Sequence, residues 1–178
     1  QTTATVDTAP ALGTDFSSAA GSYILAAPTA DNGDYKNGIW FLDNSGNSPA
    51  ASLTLPELPE GWAYEGWVVD TSGDSPMPVT TGRFTAVDEA DSDMGGPAAG
   101  PNSGPPFPGQ DFVASGSERD LTSNYKAVIS VEPEPDDSPK PFALKPLVDD
   151  QIEDVGMGTS QDLSNAASDL PTADVTIE

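Results

Sequence analysis

In the stretch 88–93, DEADSD, the residues Asp88, Glu89, Asp91 and Asp93 put four carboxylates into six positions just ahead of Gly95. Carboxylate oxygens on a short flexible span are the hard ligands that Ca²⁺ takes. The spacing is not that of an EF-hand, and no Glu stands at the twelfth position to close such a loop in bidentate fashion. A solvated acidic loop is therefore expected, with Ca²⁺ coordination by these four residues as the alternative. Two further carboxylate pairs, Glu132 with Glu134 and Asp136 with Asp137, have the composition of an acid and a base for glycoside hydrolysis. Adjacency in the chain is weak support, because 29 Asp and Glu among 178 residues create such pairs by composition.

The rest of the catalytic repertoire is thin. The chain has no Cys and no His, which removes thiol nucleophiles, disulfides, imidazole bases and most transition-metal sites. A serine nucleophile would have to use one of the four lysines as its base. Trp40, Trp62, Trp67, Tyr64 and Phe84 have the chemistry of a sugar-stacking platform, but strand aromatics in a small β domain more often pack inside. Trp40, Trp67 and Phe84 are assigned to the core. Trp62 follows Pro59-Glu60-Gly61 at a turn and is the candidate for an exposed contact. No catalytic residue and no cofactor is expected.

The elements that must carry these residues read as strands. Apolar runs rich in Val, Ile, Trp, Tyr, Phe and Thr recur between Gly, Pro, Asn and Asp clusters. They fall at 22–28, 38–43, 51–56, 63–70, 80–87, 125–133 and 141–148, with weaker candidates at 3–6 and 173–178. Seven to nine such strands predict an all-β fold, an antiparallel β-sandwich. DNGDYKNG, DNSGNSP and DTSGDSP join Asn or Asp to Gly and read as hairpin loops. Residues 95–109 hold ten Gly or Pro in fifteen positions and predict a long surface excursion. From 149 onward the chain has eight acidic and no basic residues, a composition that by itself favours a disordered tail. The expected organisation is an N-terminal arm at 1–20, a β domain at 21–148 and an acidic tail at 149–178.

The formal charge of −23, from six basic against 29 acidic residues, argues against binding nucleic-acid phosphates or an anionic membrane surface. It also predicts a saline or cation-rich habitat, where the self-repulsion is screened. No run approaches the ~20 apolar residues of a membrane span. Gln1 opens the chain without a basic and apolar leader, as in an exported protein whose signal has been removed.

Two blocks carry a resemblance. GWAYEGWVVD (61–70) followed by MPVTTGRFTAV (77–87), and AVISVEPEPDDSPKPFALKPL (127–147), resemble over 62–87 and 125–147 the C-terminal extracytoplasmic domain of anti-sigma-K factors. The second is the more specific, since its order is strand, Glu-Pro, polar turn, Pro, strand. The resemblance implies a β-sandwich facing outward and a closing hairpin at 125–147 that caps a sheet edge. That family's sigma-binding and membrane parts have no counterpart in these 178 residues.

The function these features predict is a non-enzymatic, secreted or surface-displayed module for protein interaction, with other copies of itself as the partner. The Thr-rich arm TTATVDTAPAL (2–12) alternates small polar and apolar residues, as a strand added to another subunit's sheet would. Open-ended exchange of that kind builds filaments. A regulatory or sensing ectodomain related to anti-sigma factors is the alternative.

Overall fold

The computed structural model describes residues 2–7, 12–136, 138–169 and 172–177. Thirteen strands form among them: β1 (Thr2–Asp7), β2 (Ala20–Leu25), β3 (Gly38–Trp40), β4 (Leu42–Asp43), β5 (Ala50–Ala51), β6 (Leu53–Thr54), β7 (Trp62–Asp70), β8 (Met77–Phe84), β9 (Gly109–Asp111), β10 (Tyr125–Pro133), β11 (Leu147–Asp149), β12 (Ser160–Asn165) and β13 (Thr172–Ile177). Two 3₁₀ turns, Tyr35–Asn37 and Ala167–Asp169, lie among the strands, and no helix of the described residues is long and apolar enough to cross a membrane.

The main sheet follows one path, β8-β7-β10-β11-β12-β2-β3-β9, with β6 hung from β2, and every strand pair along it is antiparallel. The all-β antiparallel architecture is the expected one. Its closure differs: the two ends of the path, β8 and β9, come close enough for the sheet to be nearly shut like a barrel. Strand patterning does not separate these cases, because a barrel and a sandwich both alternate inward and outward residues.

The interior takes one face of each strand. On β10, Tyr125, Ala127, Ile129 and Val131 join Tyr23, Ile39, Phe41, Phe84 and Phe112 in the central core. The face between them, Lys126, Val128, Ser130 and Glu132, points the other way. Ile152 and Leu163, both inside the acidic stretch from 149 onward, are buried in the same core. That stretch is built into the sheet, since β12 lies between β11 and β2.

The closing hairpin takes another form than expected. β10 is an inner strand, paired with β7 along nine residues and with β11 along three. Of the apolar run 141–148 only its end enters β11. Pro141 and Pro146 have no N–H to donate to a ladder, so 138–146 folds as a loop, fastened by the Val131 N–H on the Leu144 carbonyl at 2.8 Å. The chain's two end strands lie outside the main sheet: β1 pairs with β13 over six residues, Thr2 opposite Ile177 through Asp7 opposite Thr172.

Candidate functional site

The stitch between β8 and β9 is made by the acidic loop itself. Opposite Gly66 of β7, β8 carries two residues, Thr81 and Gly82, a bulge that bends the strand. Gly82 sits at φ 99°, and a Cβ there would lie 2.4 Å from the Asp91 carboxyl carbon, so neither the conformation nor the space admits a side chain. Asp91 fills that space. It is 5% exposed and accepts from the N–H groups of Gly109 (2.8 Å), Asp93 (3.1 Å) and Met94 (3.0 Å). Ser92 donates its N–H to the Arg83 carbonyl at 2.8 Å on one side, and Asp111 donates to the Gly95 carbonyl at 3.1 Å on the other. Burial, reinforced by the Asp93 carboxyl, pushes the Asp91 carboxyl up to about 7.

The outward face of β7 and β10 changes character along its length. Register pairs Lys126 with Val69, Val128 with Trp67, Ser130 with Glu65 and Glu132 with Ala63. At one end are the carboxylates. Glu65 accepts from the Thr80 hydroxyl, and burial pushes it up to about 7, with the Glu132 charge adding to the shift and Thr80 and Arg83 opposing it. Glu132 accepts from the Ser130 hydroxyl and from the Phe142 N–H at 2.8 Å, while its Oε2 is buried with no hydrogen-bond partner. Ser130 also accepts from the Trp67 indole at 2.8 Å. Beside them a pocket of about 370 Å³ is lined by Glu65, Thr80, Arg83, Asp93 and Asp136, and Arg83 pairs with Glu134 at 3.2 Å.

At the other end the same face forms a groove of about 400 Å³. Val69, Val128 and Val148 make its floor and Pro76, Pro78 and Pro141 its walls, while Lys126, Lys140 and Lys145 stand round it. Three of the four lysines in the chain thus gather at one apolar surface. Lys126 Nζ donates to Asp150 at 2.6 Å, and Lys145 Nζ to the Phe142 carbonyl at 2.6 Å.

Of the four residues expected as Ca²⁺ ligands, Asp88 and Glu89 lie toward solvent, Asp93 is half-buried and Asp91 is turned inward on backbone amides. Among the described residues no three His, Cys, Asp or Glu side chains are grouped to hold a metal ion. Trp40, Trp67 and Phe84 are all buried, as expected, Phe84 in the central core and Trp40 and Trp67 in two smaller apolar clusters, that of Trp67 on the outward face of β7. Trp62 is half-buried and tilted against Phe142, centroids 6.1 Å apart. Glu132 is buried and Glu134 exposed, so that pair does not face a common space; Asp137 lies outside the described residues. Ser123-Asn124-Tyr125-Lys126 has the spacing of a serine–lysine pair, which needs a helix to bring i and i+3 together. Here the span crosses a turn, with Asn124 at φ 64°, into β10, and Lys126 is engaged by Asp150.

Sequence reasoning missed Asp111, which is fully buried and accepts from the Thr29 N–H (2.8 Å), the Thr29 hydroxyl and the Trp40 indole (2.7 Å). It also missed the lysine groove. Lys126, Lys140 and Lys145 are spread along the sequence, and only the folding back of 138–146 brings them together. Comparison with protein-family models, curated proteins and solved structures finds no match to the chain.

Proposed function

We propose that the chain is a non-enzymatic, outward-facing module whose work is association with other copies of itself through exchanged terminal strands. The observation that carries this is the β1–β13 ribbon. Its two strands come from opposite ends of the chain, pair with each other, and take no place in the main sheet. Either can leave its partner without opening the barrel, and the same register can be completed by a strand from a neighbouring copy. A strand passed on in one direction, with the other received, gives an open-ended series of copies.

The carboxylates do not favour chemistry on this account. Glu65 and Glu132 are committed to internal hydrogen bonds, and Asp91 to the seam. The acidic surface suits a saline exterior, where screening lets like-charged copies approach. A sensing ectodomain of the anti-sigma type is the second proposal, favoured by one observation: the two blocks of the resemblance occupy β7, β8 and β10, which are hydrogen-bonded neighbours. Light scattering on the full chain and on a chain lacking residues 2–7 tests the first proposal. The full chain is expected to assemble and the shortened one to remain monomeric; equal assembly of both would remove the exchanged strand from the account.

A further inference from the structure

The groove and the acidic loop are complementary surfaces placed at opposite ends of one strand. The groove is walled by Pro76 and Pro78 where β8 begins, and the loop Asp88–Met94 follows where β8 ends. Eight residues of strand separate them, about 26 Å at 3.3 Å per residue. The groove offers an apolar floor with Lys140 and Lys145 at its rim, beside Lys126, which is paired with Asp150 of the same rim. The loop offers Asp88 and Glu89 on its outer side with Met94, which is 76% exposed and held at φ 51° by the seam.

We infer that the groove of one copy receives the acidic Met94 loop of the next, giving a head-to-tail contact between barrels. Charge complementarity calls for an acidic occupant, and Met94, the most exposed large apolar side chain among the described residues, points to this loop. In a chain of net charge −23, most of the surface repels another copy, and the groove is where basic side chains collect. An acidic partner is steered to it. The floor then adds what charge alone does not: Val69, Val128 and Val148 give Met94 an apolar surface to cover, a contribution that salt does not screen. Because groove and loop are different patches, the contact is heterologous and repeats from copy to copy rather than closing as an isologous dimer. The inference rests on the proposed self-association and adds to it a second contact at a different patch, the two together holding copies that neither holds alone.

Charge exchange tests it by sedimentation velocity in about 0.15 M salt, where the Debye length of ~8 Å damps distant repulsion but leaves close pairs. One variant carries Lys140→Glu and Lys145→Glu, the other Asp88→Lys and Glu89→Lys; all four positions lie away from the core, and a far-UV spectrum checks the fold. Each variant alone is expected to need at least tenfold more protein than the parent to assemble. Their equimolar mixture is expected to regain the parent's assembly, since each reversed surface then meets its complement. Assembly of either variant at the parent's concentration overturns the inference. So does a mixture that stays dispersed, which would assign the groove to a different occupant, such as a free apolar carboxylate. The chain lacking residues 2–7 separates this from strand exchange. If deletion disperses the chain and charge reversal does not, the groove contact falls and the exchanged strand stands. If charge reversal disperses it and deletion does not, the groove contact stands and the exchanged strand falls.

Discussion

Glu65 is a carboxyl 6% exposed, set between Trp67 and Ala63 on β7 and beside Glu132 of β10, to which Phe142 of the 138–146 loop donates its N–H. Its folded value of about 7 stands well above the ordinary 4.5, so between those values the folded chain keeps a proton that the unfolded chain has released. Stability from that proton is complete below about 4.5 and is lost as pH rises through about 7. Asp91 adds to the same trend. Glu65→Gln keeps the acceptor for Thr80 and removes the charge. It is expected to stabilise the protein by about 1 to 3 kcal/mol above pH 7 and to change little at pH 4, read from urea unfolding at the two values. The sequence showed a Glu inside an apolar run without showing what would cover it. Asp91 was hidden for the opposite reason: among four acids in six positions nothing marks the one that faces Gly82 across the seam.

The elements rich in β-branched and aromatic residues were the legible ones. β7, β8 and β10 fall where the runs 63–70, 80–87 and 125–133 place them, within a few residues. β9 and β12 were not legible. β9 is three residues, GQD, at the end of a Gly- and Pro-rich excursion, and its formation depends on pairing with β3 and on the Gly95 stitch. β12, SQDLSN, has a single apolar residue, and its stability comes from β11 and β2 on either side. Neighbours of that kind are a tertiary property that local propensity does not report. The acidic stretch is therefore structural, with a measurable consequence. Ile152→Ala, at a fully buried position, is expected to cost about 2 to 4 kcal/mol. Val155→Ala, at a side chain 41% exposed three residues on, should stay within about 0.5 kcal/mol. Chemical denaturation of both variants checks the pair; equal small effects would mean that the stretch does not hold the barrel shut.

For the whole molecule, alternation and turn chemistry were enough to read an all-β chain, and the near-closure of the sheet was not readable because it depends on a bulge, a glycine and a buried aspartate meeting at one seam. Charge acts at this scale as well. With −23 spread over one small body, the melting temperature is expected to climb smoothly with NaCl from about 0.05 to 1 M as the Debye length shrinks from above 10 Å to about 3 Å. Millimolar CaCl₂ should add nothing beyond its ionic strength, because the loop's one inward carboxylate is already occupied by amides; a jump at low calcium would restore the loop as a metal site. Exchange of the chain's end strands can be trapped directly, because the sequence has no cysteine of its own. Thr3 and Thr176 are register partners in the terminal ribbon, close enough for a disulfide between cysteines placed there. Oxidising a Thr3→Cys, Thr176→Cys chain at high concentration and running it without reductant should give a ladder of covalent multimers, each strand bonded to a neighbour's. Cross-linked monomer alone, at every concentration, would contradict strand exchange between copies.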